Sequence, residues 1–140
     1  MNVVTVETEP RPEDVRLLEE RIYEHNVQAT GISDGRLFAV FLRDDMDSVV
    51  GGIYGWTWGA TCYIRYLYIP EHMRRQGHGS RLMRQVEAEA SERGCRQIVL
   101  ETHDFQAPDF YRRFGFEVVG RVDDYPRGHQ CLTMAKRLGT

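Results

Sequence analysis

The chain has 140 residues, a length typical of one domain, so we predict that residues 1–140 form a single domain. Apolar residues make up 41% of the chain and charged residues 28%, a balance typical of globular proteins. The net charge of −3 argues against a general nucleic-acid binder. No stretch approaches the ~20 apolar residues of a membrane span, so we expect no membrane partner.

The N-terminal segment has neither a basic start nor a long apolar run, and it therefore differs from a signal peptide. We accordingly expect a cytoplasmic protein. The three cysteines are odd in number and widely spaced, which is typical of reduced thiols. The five histidines are scattered along the chain, so we predict no metal site.

The first 35 residues predict a strand, a helix and a loop. Val3 to Thr8 alternates apolar and polar residues, as a half-buried strand does. A helix is predicted from about Pro12 to Asn26, because apolar residues recur on one face at helical spacing. The breakers between Thr30 and Gly35 predict a loop.

The next segment predicts three strands joined by tight turns. Residues 36–43 and 48–58 are rich in β-branched and aromatic residues, and the acidic turn 44–47 separates them. The turn 59–60 leads to a third strand at residues 61–69. Successive hairpins predict an antiparallel sheet up to this point.

The pattern then changes to a strand–helix–strand crossover. A loop rich in glycine and arginine spans Arg74 to Ser80, and a helix follows to about Arg93. Gly94 stands where a C-terminal cap belongs, and residues 97–102 form a short strand. This order predicts a parallel pair of strands. The apolar stripe of the helix consists of Leu82, Met83, Val86 and Ala90.

The last part of the chain predicts a short helix and two strands. The helix spans Ala107 to Phe114 and is closed by Gly115. The strands are residues 116–122 and 130–136, and the loop 123–129 joins them.

The loop before the second long helix predicts a phosphate site. The first N–H groups of a helix have no intrahelical acceptor, and the helix dipole adds partial positive charge there. Gly77 and Gly79 leave room for an anion, while Arg74 and Arg75 add full positive charge. The alternative is a tight turn that uses two glycines and binds nothing.

Two common phosphate-binding motifs do not match this loop. The Walker motif requires Gly-Lys-Ser/Thr, whereas the chain has Gly79-Ser80-Arg81. The dinucleotide-binding motif needs a third glycine where Leu82 stands. A nucleoside triphosphatase and a dinucleotide-binding protein are therefore disfavoured.

The same segment resembles the acetyl-CoA motif of the GNAT acetyltransferase superfamily, Arg/Gln-x-x-Gly-x-Gly/Ala. It matches Arg74, Gly77 and Gly79. Residues 67–69 resemble the family's preceding strand, and residues 110–116 resemble its later aromatic and Gly-Phe motif. The resemblance implies an α/β fold of mixed α+β type. It has a mixed, mostly antiparallel sheet of about seven strands and about four flanking helices.

The resemblance also implies an N-acetyltransferase that takes its acetyl group from acetyl-CoA. Tyr111 would lie beside the sulfur as general acid, and Asp104 stands where family members often have an asparagine that contacts the cofactor. An ionised Asp104 accepts but cannot donate a hydrogen bond. The backbone contacts to the cofactor would come from Leu67, Tyr68, Ile69, Arg75, Gln76, Gly77, His78, Gly79 and Ser80, next to Arg74 of the motif.

The acceptor is expected to be a primary amine of a small molecule. A protein lysine or N-terminus, or CoA binding without catalysis, are the alternatives. The general base stays open among Glu101, His103, Asp104, His129 and a water relay. Exposed final strands would allow a homodimer. The expected acceptor-binding residues are Asn26, Tyr63, Arg65 and Tyr125.

Overall fold

A computed structural model describes residues 1–139, which contain six strands and three α-helices. They divide into two compact units, residues 1–33 and the part from Asp34 onward. Among residues 1–139, none of the helices combines the length and the apolar composition that a membrane span requires. The elements are α1 (Pro12–Thr30), β1 (Arg36–Arg43), β2 (Val49–Trp58), β3 (Thr61–Tyr68), a 3₁₀ turn (Glu71–Met73), α2 (His78–Glu92), β4 (Gln97–His103), α3 (Pro108–Arg113), β5 (Glu117–Asp123) and β6 (Gln130–Arg137).

The first unit contains α1, which is longer than its apolar pattern predicts. Pro12 suits the first helical turn because its missing N–H would have no partner there. The helix continues past Asn26 to Thr30 and ends at Gly31, whose φ of 73° is left-handed. The N–H of Gly31 donates to the carbonyl of Val27 at 2.7 Å. Thr30 therefore belongs to the helix rather than to the predicted loop.

The predicted strand at Val3 to Thr8 is wrong. Val3, Val4 and Val6 are exposed by 80%, 96% and 92%, and no strand of residues 1–139 pairs with this segment. Alternation shows which face a strand would bury, but the backbone N–H and C=O groups also need a partner strand. The sheet accordingly has six strands, whereas we predict about seven. The described residues contain three α-helices, whereas we predict about four.

The second unit is a single sheet in the order β1-β2-β3-β4-β6-β5. Only β3 and β4 are parallel, and the other neighbouring pairs are antiparallel. This arrangement confirms the mixed, mostly antiparallel sheet and the parallel crossover through α2. Each strand lies within one residue of its predicted ends.

One face of the sheet is covered by α2, and the core lies between them. Ile53, Ile64, Ile98 and Leu100 are almost fully buried on that face. The predicted apolar stripe of α2 is confirmed as its buried side. Side chains alternate along each strand, so Trp56, Tyr63 and Glu101 lie on the opposite face.

Candidate active site

The two parallel strands at the centre of the sheet, β3 and β4, separate beyond Ile64 and Leu100. Pairing between β3 and β4 ends at these two residues, but β3 continues to Tyr68 and β4 continues to His103. Beyond this point, the edges of β3 and β4 that face each other are not joined by backbone pairing. The gap, here called the β3–β4 opening, exposes backbone groups that an extended molecule with amide groups can bind.

A β-bulge in β3 accompanies this opening. Tyr54 pairs with Tyr66, but the next residue Gly55 pairs with Ile64, so Arg65 is the extra residue. A bulge bends the strand and increases its twist. Gly55 is required beside the bulge, because a Cβ there would overlap the carbonyl oxygen of Tyr63.

The predicted phosphate-binding loop lies after the end of β3 and leads into α2. The helix begins at His78, so its first turn includes Gly79 and Ser80. Gly77 is the N-cap with a left-handed φ of 84°, and a Cβ there would meet no atom within 4 Å. The first turn of α2 contains no acidic residue. The first turn of α2 thus adds no negative charge that would oppose an anion at the start of the helix.

Gly79 has a packing role that the sequence pattern does not reveal. A Cβ at this position would lie 3.2 Å from the ring of Phe110 and 3.3 Å from Cδ1 of Ile69. The missing side chain therefore lets α3 and the end of β3 approach the first turn of α2.

Two side chains of the predicted phosphate-binding loop stabilise it by hydrogen bonds to nearby backbone carbonyls. Nε of Arg74 donates to the carbonyl of Ile69 at 2.9 Å, and Nε2 of Gln76 donates to the carbonyl of His72 at 3.0 Å. Arg75 has a left-handed φ of 63°. The guanidinium of Arg74 thus fixes the loop through one N–H and keeps its remaining donors for a ligand.

Tyr111 lies on α3 and is only 6% exposed. Its ring makes edge contacts with Phe110 at 5.3 Å and Phe116 at 5.8 Å between ring centroids. Burial raises the pKa of Tyr111 to about 12, so the hydroxyl is protonated throughout the neutral range. Phe110, the residue immediately before Tyr111, is the one that packs against Gly79.

Asp104 fixes the loop between β5 and β6. Its Oδ1 pairs with Nδ1 of His129 at 2.9 Å, and its Oδ2 accepts the N–H of Gln130 at 2.9 Å. Desolvation raises the pKa of Asp104, but these hydrogen bonds outweigh it and lower the pKa below its usual value. Both carboxylate oxygens thus have protein donors. A cofactor contact by Asp104 stays a prediction.

The same loop is attached to β4 through His103. Nδ1 of His103 lies 2.9 Å from the carbonyl oxygen of Tyr125. A carbonyl can only accept, so Nδ1 carries the hydrogen and Nε2 of the neutral ring carries the lone pair. The ring stacks on Phe105 and meets the ring of Tyr125 edge-on.

Glu101 stands at the mouth of the β3–β4 opening, directly after Leu100. Its Oε1 accepts the hydroxyl of Tyr63 at 2.9 Å, and its Oε2 lies 3.9 Å from Sγ of Cys131. Burial and the bond to Glu101 raise the pKa of Tyr63. From the sequence alone, Glu101 is only one of four candidates for the general base. Its hydrogen bond with Tyr63 joins residues 38 positions apart, so no local sequence pattern reveals it.

The remaining predicted acceptor residues are placed unequally. Arg65 extends from the bulge and lies over the ring of Tyr66 at 4.8 Å. Asn26 belongs to α1 in the first unit, and its carbonyl accepts the hydroxyl of Thr30. Its contact with an acceptor stays a prediction. Among residues 1–139, no group of three or more acidic, histidine or cysteine side chains could hold a metal.

These features together fit a ligand that joins a diphosphate to an extended amide-bearing arm. The first turn of α2 offers N–H donors for phosphate, and the unpaired edges of β3 and β4 offer partners for amides. The class of protein that combines this fold and this site is an acyl-CoA-dependent acyltransferase.

Comparison with known proteins identifies the family. Residues 3–116 match the model of the acetyltransferase (GNAT) family, so the chain belongs to that family. It is an N-acetyltransferase, and acetyl-CoA is its acetyl donor.

Two relatives and one crystal structure are similar over most of their length. Acetyltransferase Atu2258 of Agrobacterium fabrum is 31% identical over 122 residues, covering 87% of this chain and 89% of that protein. Blasticidin-S acetyltransferase of Streptomyces morookaense is 34% identical over 106 residues, covering 73% and 76%. The crystal structure of an acetyltransferase from Agrobacterium tumefaciens superposes with a TM-score of 0.88 at 30% identity, covering 99% and 100%.

Proposed function

We propose that this chain transfers the acetyl group of acetyl-CoA to a primary amine of a small molecule. The observation that carries the proposal is the β3–β4 opening beside the first turn of α2. The similarity to blasticidin-S acetyltransferase supports a small-molecule acceptor.

The cofactor would lie along the end of β3 and across the start of α2. Backbone groups of Leu67, Tyr68 and Ile69 would bind the pantetheine arm and the thioester carbonyl. N–H groups of residues 75–80 would bind the pyrophosphate, and Arg74 would add charge. The unpaired edge of β3 and the acid-free first turn of α2 support this arrangement.

Tyr111 would donate a hydrogen bond to the departing thiolate. With the pKa of Tyr111 at about 12 and a thiol pKa of ~8.5, complete proton transfer would cost about 5 kcal/mol. We therefore assign Tyr111 the stabilisation of negative charge on sulfur rather than complete protonation in the step itself.

The acceptor amine must be neutral before it attacks. For an amine of pKa ~10.4, deprotonation at neutral pH costs about 4–5 kcal/mol. Asp104 accepts hydrogen bonds on both carboxylate oxygens, whereas His129 bonds to it through Nδ1 alone, which leaves Glu101, His103, His129 or a water relay to receive the proton. Nε2 of His103 has its lone pair available in the neutral tautomer.

A panel of small amines, with release of the CoA thiol as the readout, tests the proposed function. We expect turnover with a subset of primary amines and none with secondary amides. Mass spectrometry of the products would show one added acetyl group. Acetylation confined to protein lysines or N-termini would contradict the small-molecule assignment. Coenzyme binding without any thiol release would contradict an enzymatic role.

A further inference from the structure

Four aromatic side chains lie next to one another on the sheet face opposite α2. They are Tyr54, Trp56, Tyr63 and Tyr66, here called the aromatic patch. Ring centroids are 6.4 Å apart for Tyr54 and Trp56, 6.3 Å for Tyr54 and Tyr66, and 5.0 Å for Trp56 and Tyr63. The rings therefore form one continuous surface across β2 and β3.

The aromatic patch is open to solvent and already holds one cation. Trp56 is 36% exposed and Tyr66 is 60% exposed. The guanidinium of Arg65 lies 4.8 Å from the centroid of the Tyr66 ring, which is the distance of a cation–π contact. The ring faces of this surface can thus bind a planar cation.

A carboxylate that forms no ion pair among the described residues borders the aromatic patch. Glu101 is exposed, and none of the ion pairs among residues 1–139 involves it. The hydroxyl of Tyr63 donates to its Oε1 at 2.9 Å, which orients the carboxylate beside the ring. A cation over Tyr63 would therefore meet a ring face and a negative charge together.

The position of this group relative to the β3–β4 opening defines which part of an acceptor it can bind. In the pairing of β3 with β4, the last pair is Ile64 and Leu100. Glu101 directly follows this pair on β4, whereas Tyr63 directly precedes it on β3. The aromatic patch extends from the opening back along the paired strands. Because the attacking nitrogen must be neutral, a site built for a permanent cation suits a second group of the acceptor.

We propose that the acceptor carries, besides its reactive amine, a planar cation of the guanidinium type that stacks on Trp56 and Tyr63 and pairs with Glu101. This inference rests on the proposed function. It makes Glu101, Tyr63 and Trp56 specificity-determining residues.

Agmatine, a primary amine with a guanidinium, and n-hexylamine, which lacks one, test the proposal. The expected kcat/KM for agmatine is at least about tenfold higher. Trp56→Leu should raise the KM for agmatine about tenfold, with little change for n-hexylamine, and Glu101→Gln should raise the ratio of the agmatine KM to the n-hexylamine KM about tenfold, whatever its effect on the kcat of both amines. Glu117→Gln, the same substitution on the edge strand β5, is the matched control and should change neither value.

Calorimetric titration of agmatine into the coenzyme-free protein separates this inference from the proposed function. Binding that weakens about tenfold in Glu101→Gln and in Tyr63→Phe supports the site even if no amine is acetylated. Tyr63→Phe keeps the aromatic ring and removes only the hydroxyl, so it provides the binding test if Glu101→Gln folds poorly. Equal agmatine affinity in the wild type and both variants, or equal turnover of the two amines, overturns the proposal.

Discussion

Tyr111 allows the sharpest test at the level of a single residue. Replacing it with phenylalanine removes the hydroxyl but keeps the ring contacts with Phe110 and Phe116. We expect kcat to fall about 10- to 100-fold, because a hydrogen bond to the leaving thiolate is lost. Affinity for CoA, measured by calorimetry, should stay the same. Full activity of Tyr111→Phe from pH 6 to 9 would contradict the assigned role.

Two buried weak acids, the thiol of Cys62 and the hydroxyl of Tyr111, predict how folding stability changes at alkaline pH. Burial raises the pKa of Cys62 from 9.0 to about 12 and that of Tyr111 from 10.0 to about 12. In the unfolded chain both groups lose their protons at lower pH, so the unfolded state binds fewer protons in this range. Stability is therefore fully present below about pH 9 and falls as the pH rises towards 12.

Urea unfolding at a series of pH values measures this effect. Cys62→Ala is the matched variant, because it removes one of the two groups without adding a polar atom. Its free energy of unfolding should be lower at neutral pH but should fall less steeply in alkali than that of the wild type. Identical slopes for the two proteins would exclude the contribution of Cys62.

Individual residues also show where a pattern in the sequence is insufficient. Gly79 is predicted from the motif as a space for phosphate, but the structure adds its contact with Phe110. The bond between Tyr63 and Glu101 depends on the parallel pairing of β3 and β4. Such contacts between distant residues have no local periodicity, so they follow only from the folded chain.

At the level of elements, the bulge in β3 is the feature that shapes the site. Gly55→Ala would bring a Cβ onto the carbonyl oxygen of Tyr63, so the backbone of one strand must shift. We expect a loss of about 1–3 kcal/mol in unfolding free energy and weaker CoA binding, because the end of β3 changes direction. Denaturant unfolding and calorimetry measure the two effects.

Gly120→Ala in β5 is the control for this prediction. A Cβ there would lie 3.8 Å from Thr133, an ordinary contact. It should therefore leave CoA affinity unchanged. If Gly55→Ala behaves like Gly120→Ala in both measurements, the bulge does not depend on Gly55.

The strands and helices could be predicted because local chemistry and tertiary structure agree for most of them. The turn at Gly59 and Ala60 combines two left-handed residues, the backbone geometry of a tight hairpin. The exceptions are elements whose limits depend on partners. Val3 to Thr8 has the alternation of a strand but no neighbour, and α1 continues until Gly31 provides a left-handed cap.

At the level of the whole molecule, the order of strands limits the predicted homodimer. β6 lies between β4 and β5, so of the two final strands only β5 has an unpaired edge. Val119 and Val122 on β5 are 64% and 56% exposed. A dimer through the final strands would therefore use β5, and it stays a prediction.

At the same scale, the unit from Asp34 onward combines a sheet that α2 covers on one face, an opening between the parallel strands and a helix that starts beside that opening. The covered face supplies the core, and the opening supplies the unpaired backbone groups that we propose as the binding site of the coenzyme arm. The central claim is that the coenzyme's phosphates bind at the first turn of α2. A side chain at its N-cap should then interfere with binding without any change in the core.

Calorimetric titration of CoA into the wild type, Gly77→Val and Gly94→Val tests this claim most directly. Both glycines have a left-handed φ, 84° and 76°, and a Cβ on either meets no atom within 4 Å. The two variants should lose similar stability, since they cap opposite ends of α2. Only Gly77→Val should lose CoA affinity, about tenfold or more. No CoA binding by the wild type, or equal affinities for the two variants, would contradict the account.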